Sequence, residues 1–106
     1  MVDFGDPRGS AQAGDRPALV VSNDVNNQVA RTVTVAAITR TIPSKQYPMN
    51  VFLSGGGALP WDGTILCGQL FTIDKQDLRR YRGTLDPPQV AQVDQALAKA
   101  LALRLA

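Results

Sequence analysis

A chain of 106 residues has room for one hydrophobic core, and 44% hydrophobic against 19% charged residues excludes an intrinsically disordered polymer. The formal net charge of +2 is too small to argue by itself for a nucleic-acid partner, and a sequence without histidine excludes Ser-His and Cys-His catalysis. The single cysteine, Cys67, excludes an intramolecular disulfide and leaves no credible zinc ligand set.

Val2-Asp3-Phe4 alternates and reads as a short strand. Residues 5–17 read as a loop, because three Gly and two Pro within thirteen residues resist helix and strand alike. Arg16 precedes Pro17, which biases its backbone towards extended form. The fixed φ of Pro17 then launches a strand over residues 18–23, so a guanidinium stands at a strand entrance. Asp24-Val25-Asn26-Asn27 reads as a turn. Residues 29–39 are rich in β-branched side chains, and neither face of that strand is wholly polar, which predicts a central position. Residues 40–48 form a loop with two prolines, carrying Lys45 and Tyr47.

Two further strands are expected over residues 49–54 and 64–73. Between them lie Gly55-Gly56-Gly57, Trp61 and an Asp62-Gly63 turn. Trp61 suits a stacking residue, a partner contact or a cap on the core. Cys67 sits in an apolar run and is expected to be buried. Asp74 is placed to cap a short helix over residues 75–82, before a short strand at Gly83-Thr84-Leu85. The last helix has the strongest local signals: Asp86 as N-cap, Pro87 in the first turn and Gln89 three residues after the cap. Val90, Val93, Leu97 and Leu101 then recur at helical spacing and give one apolar face that closes the core, with the apolar end at residues 101–106 reading as core too.

Strands with one closing helix make an α+β domain, and the pattern alone leaves sheet and small barrel both open. No run approaches the roughly 18 apolar residues of a membrane span, and no basic-then-apolar leader opens the chain, which points to a cytoplasmic protein. For chemistry, Arg16 offers a bidentate fork that matches phosphate oxygens, and Thr39 offers a hydroxyl where the long strand meets its loop. Without further information Thr39 reads as an ordinary strand residue and Arg16 as a loop ion-pair partner. Ser10 and Gln12 suit ligand contacts or loop-internal hydrogen bonds; Lys45 and Tyr47 suit a phosphate contact and a stacking face, although such residues are more often simply solvated or packed.

Several segments stand in a fixed order: Gly9-Ser10-x-Gln12-x-Gly14-x-Arg16-Pro17-x-Leu19-Val20-Val21-Ser22, Val35-Ala36-Ala37-Ile38-Thr39, Tyr47-Pro48, Asp62-Gly63 and Gln69-Leu70-x-Thr72-Ile73-Asp74-Lys75. Over nearly the whole chain this series resembles the MazF/PemK family, the ribonuclease toxins of bacterial toxin–antitoxin pairs. The resemblance implies an SH3-like small β-barrel with a C-terminal helix, one toxin domain over residues 1–106, and a homodimer. It implies sequence-specific, metal-independent cleavage of single-stranded mRNA without a cofactor, leaving 2′,3′-cyclic phosphate and 5′-hydroxyl ends, and inhibition by a cognate antitoxin. Arg16 and Thr39 match the family's catalytic Arg and Thr, while Ser10, Gln12, Lys45, Tyr47 and Gln69 fall at the expected RNA contacts. A non-catalytic toxin of the same fold, acting on gyrase through its terminal helix, is the alternative class.

Three departures from the family pattern matter. Ala11 stands where the family usually carries Glu, the natural candidate for a general base; a natural loss or a deliberate replacement would each predict weak or absent cleavage with RNA binding retained. Gly68 precedes Gln69 where the family tends to place an acid, and Phe71 stands where a basic or polar residue is common. The first strand is shorter than is usual in the family, which reads as a late start or a stub.

Overall fold

The computed structural model describes residues 2–4, 16–42, 44–45, 47–57 and 59–103. The elements, in chain order, are β1 (Val2–Phe4), β2 (Arg16–Val20), α1 (Asp24–Val29), β3 (Thr32–Thr39), β4 (Asn50–Leu53), β5 (Gly63–Asp74), a 3-10 turn (Lys75–Asp77), β6 (Leu78–Tyr81) and α2 (Pro87–Ala100). All six strands join one antiparallel sheet in the order β4-β5-β3-β2-β1-β6. Among the described residues no ladder joins β4 to β6, so the small α+β barrel of the sequence reading is an open, coiled sheet with α2 against one face.

β3 is central, between β5 and β2, as its two apolar faces require. Alternation sends Ala36 and Ile38 to one face and Val33 and Val35 to the other, and all four are buried. The first face forms the larger core with Leu19, Val51, Leu53, Leu59, Ile65 and Cys67, covered by Val93 and Ala96 of α2. The second face gathers Ala18, Val33, Val35 and Ile73, with Val20 and Leu78 packed against them. Each large aliphatic side chain buried this way contributes roughly 1.5–3 kcal/mol.

β5 serves both faces because it is bent. Its pairing with β3 runs from Asp74 to Leu70, then shifts, so that Ala36 opposes Leu70 and Ala37 opposes Leu66. The intervening Cys67, Gly68 and Gln69 have no β3 partner, and Cys67 N–H bonds Met49 C=O just before β4, at 2.9 Å. Such a bulge bends a strand and increases its twist.

Several segments differ from the sequence reading. Arg16 and Pro17 already belong to β2. Residues 24–29 form helix α1 instead of a turn and a strand start. The Asn23 side chain accepts a hydrogen bond from Asn26 N–H at 2.8 Å, and Asp24 in the first turn suits the positive end of the helix dipole. The expected helix over 75–82 is a single 3-10 turn, capped by Asp74 accepting from Gln76 N–H, followed by β6. Here an available partner overrides local propensity: residues 78–81 pair with β1. Gly83-Thr84-Leu85 is irregular and makes no strand; Gly83 has φ +124°, a conformation other residues rarely adopt.

Helix α2 follows its signals at the N-terminus, where the Asp86 carboxylate accepts from Gln89 N–H at 3.0 Å and Pro87 opens the first turn. Its buried face is narrower than expected. Val93, Ala96 and Ala98 are buried and Leu97 partly so, but Val90 (45%) and Leu101 (52%) are exposed. The helix packs on β4 and β5, with Val93 and Ala96 in the core beneath it. The helix ends in a left-handed residue, Ala102, with Leu103 N–H returning to Ala98 C=O at 2.7 Å and Ala102 N–H to Lys99 C=O at 3.3 Å. Leu103 is exposed as well, so positions 101 and 103 are surface, not the core the sequence reading expects.

Two measurements check this packing. Ile65→Ala, at a fully buried site, is expected to lower unfolding free energy by about 2–5 kcal/mol, and Asp86→Ala, at an exposed cap, by about 1 kcal/mol, both read by chemical denaturation. Burial pushes the Cys67 thiol up from 9.0 to about 11, so at pH 8 it stays protonated and enclosed. A thiol reagent is expected to label Cys67 only as the protein unfolds; rapid labelling of the native chain would contradict the core assignment.

Candidate active site

The β2–β3 ladder pairs Ala18 with Ala37. Continuing that antiparallel register by two residues sets Arg16, the first residue of β2, across from Thr39, the last of β3. Both line a cleft of about 440 Å³ at this end of the sheet. Ile38 and Leu59 form its apolar floor, and Arg40, Thr41, Trp61, Pro17 and Arg82 complete its walls.

Local hydrogen bonds shape the Thr39 corner. Thr39 Oγ1 accepts from Thr41 N–H at 3.2 Å. A hydroxyl has one proton to give, so this acceptor role leaves the Thr39 proton to donate. The next turn is fixed from below: the buried Thr64 hydroxyl donates to Thr41 C=O at 3.1 Å. The strand carrying Thr64 approaches closely, because a Cβ on Gly63 would stand 2.7 Å from Thr39 O and 2.7 Å from Trp61 Cζ3.

The loop from β4 to β5 holds Trp61. Gly55 N–H donates to the Asp62 carboxylate at 2.6 Å, and Gly56 N–H, on a residue at φ +90°, donates to Leu59 C=O at 2.8 Å. Leu59 is almost wholly buried and anchors the loop in the core. Trp61 therefore caps the core with part of its ring and lines the cleft with the rest, which joins two of the roles its sequence position allows. The Arg40 guanidinium lies over this ring, 5.2 Å from its centroid.

The cleft is cationic. Arg16, Arg40 and Arg82 line it, and no carboxylate does among the described residues. Guanidinium forks and a hydroxyl donor lining one cleft suit a phosphate group. A second groove of about 450 Å³ runs between the end of β2 and α2, lined by Val20, Val21, Leu85, Val90 and Leu97 together with Asp24 and Asp94. Its acids oppose an anion, so it is no counterpart of the first.

Of the residues singled out from sequence, Arg16 and Thr39 both line the cleft. Lys45 and Tyr47 meet each other, Nζ lying 5.5 Å from the ring centroid, on the exposed loop after β3 and outside the cleft lining. Gln69 is exposed on the β5 bulge, also outside the lining. Ser10, Ala11 and Gln12 lie outside the described residues. Sequence reasoning missed Arg40, Thr41 and Arg82. Adjacency to Thr39 was the available signal for the first two, and the cluster Arg79-Arg80-x-Arg82 for the third.

Gly63→Ala tests the close approach. Its new methyl would meet a backbone oxygen that has nowhere to yield, so a loss of about 1–3 kcal/mol is expected in denaturant titrations. The native emission of Trp61, the only tryptophan, should shift in the same variant.

Comparison with known proteins places the chain in a family. A family model described as PemK-like, MazF-like toxin of type II toxin-antitoxin system matches residues 1–101. Endoribonuclease EndoA of Bacillus subtilis is 41% identical over 96 residues, covering 90% of this chain and 83% of that protein. A mycobacterial endoribonuclease, solved in complex with its cognate antitoxin, superposes with a TM-score of 0.81 at 26% identity, covering 99% of this chain and 95% of that one. MazF from Deinococcus radiodurans shares the fold with a TM-score of 0.73 at 24% identity, over 96% and 93% of the two chains. The small barrel-like sheet with its C-terminal helix is thus the fold of these toxins, and the chain belongs to the PemK-like, MazF-like toxins of type II toxin–antitoxin systems.

Proposed function

We propose that this chain is a sequence-specific endoribonuclease toxin, acting in the cytoplasm on single-stranded mRNA as a homodimer and inhibited by a cognate antitoxin. The observation that carries the reading is the convergence of Arg16 and Thr39, from two paired strands, on a cleft lined by three arginines and, among the described residues, no carboxylate. Single-stranded bases splay out and are open to reading, which suits such a cleft. The exposed Phe71, beside the second apolar face of the sheet, suits a partner subunit.

The reaction needs no outside nucleophile. The ribose 2′-hydroxyl attacks the adjacent phosphate, a pentacoordinate phosphorane forms, and the 5′-oxygen leaves and takes up a proton from water, giving a 2′,3′-cyclic phosphate and a 5′-hydroxyl. Arg16 spans two phosphate oxygens and stabilises the added charge; Thr39 donates a hydrogen bond to one of them. Ser10, Gln12 and Gln69 hold the flanking nucleotides, and the Lys45–Tyr47 pair lies along the outgoing strand, offering charge and a stacking face. The proton on the 2′-hydroxyl must go to a base. With no histidine in the chain and Ala11 where the family carries Glu, that step is under-supplied, and cleavage is slow while RNA binding persists.

The exposed Leu101 and Leu103 suit the competing reading, in which the terminal helix contacts a protein such as gyrase. One experiment separates the two: long single-stranded RNA in EDTA, incubated with the chain, its Ala11→Glu form and the double variant Ala11→Glu/Arg16→Ala. Ala11→Glu is expected to raise cleavage and produce cyclic phosphate ends, and loss of Arg16 to lower it again roughly 100- to 1000-fold. No cleavage by any form, together with gyrase inhibition, would move the protein to the protein-binding class.

A further inference from the structure

We propose that Trp61 and Arg40 form a base-stacking subsite beside the scissile phosphate, which accepts one unpaired nucleobase and so contributes to sequence choice. The inference rests on the ribonuclease reading above and adds a role to two residues outside the Arg16–Thr39 pair.

The cleft is larger than a phosphate requires, and Trp61 is its only aromatic side chain among the described residues. A tryptophan that merely capped the core would need no cation on its face and no place in a cationic cleft. This one has both. Its ring is also held in a fixed orientation. One edge rests where Gly63 lacks a Cβ, its backbone rests where Gly55 lacks one, and the Gly55–Asp62 hydrogen bond closes the loop around it. A rigid π face is what base stacking uses, since every base has a flat surface to offer.

Arg40 makes the face switchable. It is exposed and follows Thr39 directly, so its guanidinium is one residue from the hydroxyl that meets the phosphate. An exposed cation–π contact is weak, whereas a guanidinium–phosphate hydrogen bond is charge-assisted. When RNA enters, the guanidinium turns from the indole to the phosphate backbone. The vacated face then receives the base next to the scissile phosphate. In the empty site Arg40 shields the indole from water; in the loaded site it exchanges one partner for a stronger one.

Trp61 is the only tryptophan in the sequence, so its fluorescence reports on this subsite alone. Unlabelled single-stranded RNA is titrated into the full chain while tryptophan emission is followed, and the anisotropy of an end-labelled RNA gives binding independently. Quenching that saturates with binding is expected, whereas an abasic sugar–phosphate strand of the same length, which draws Arg40 off the ring but offers no base, should red-shift the emission without that quenching. Trp61→Leu should weaken RNA binding roughly 10-fold, with Trp61→Tyr restoring most of it. Arg40→Ala should bind more weakly yet keep the quenching, because the ring remains open to the base. If Trp61→Leu fails to fold, the quenching of the unaltered chain still decides the matter. RNA binding with unchanged tryptophan emission would overturn the subsite and leave the ribonuclease reading standing. No RNA binding by anisotropy would overturn both.

Discussion

Arg16 and Thr39 are far apart in sequence, and the antiparallel ladder between β2 and β3, continued by two residues, brings both to one cleft. That ladder is held from both directions. β3 is clamped on its other edge by the long β5, and its side chains are buried on both faces, so a slip of one residue would exchange the two cores. Register is therefore strongly specified at the point where the cleft needs it. The placement of the two side chains at the strand ends is fixed by apolar packing several residues away.

The same economy appears at the other wall of the cleft. β5 begins at Gly63 so closely under Thr39 that a methyl group does not fit, and this contact also seats the indole of Trp61. Beyond it, the bulge at Cys67, Gly68 and Gln69 lets the strand bend from one core to the other. Thr64 then secures the turn after Thr39. One strand thus sets the depth of the cleft, fixes its hydroxyl corner and orients its aromatic wall.

Much of this was legible in the residues. A β-branched run marked β3, a long apolar run marked β5, and the Asp86-Pro87 start marked α2, because those signals act locally or through burial on a sheet. The failures share a cause: a partner that local sequence does not reveal. Residues 78–81 read as helix and became β6, because β1 offered a ladder. Val90 and Leu101 read as core and are exposed, Val90 lining the groove beside the end of β2. Asn23 as a cap was missed, since the Asp-Val-Asn-Asn stretch after it resembles a turn. In the site, Arg16 and Thr39 were found from a family motif. Arg40 and Arg82 were not, because their place in the cleft depends on side-chain direction at the ends of β3 and β6.

Charge gives the site its character more than shape does. A chain with a net charge of only +2 gathers three arginines around one cleft, while the groove beside α2 carries acids instead. The central claim is that the scissile phosphate lies between Arg16 and Thr39. The most direct measurement is a crystal structure of the chain with a single-stranded RNA carrying 2′-deoxyribose at the cleavage position, so that the strand stays whole. The expected result is a phosphate within hydrogen-bond reach of both the Arg16 guanidinium and Thr39 Oγ1. A strand seated elsewhere, with no phosphate oxygen near either residue, would contradict it.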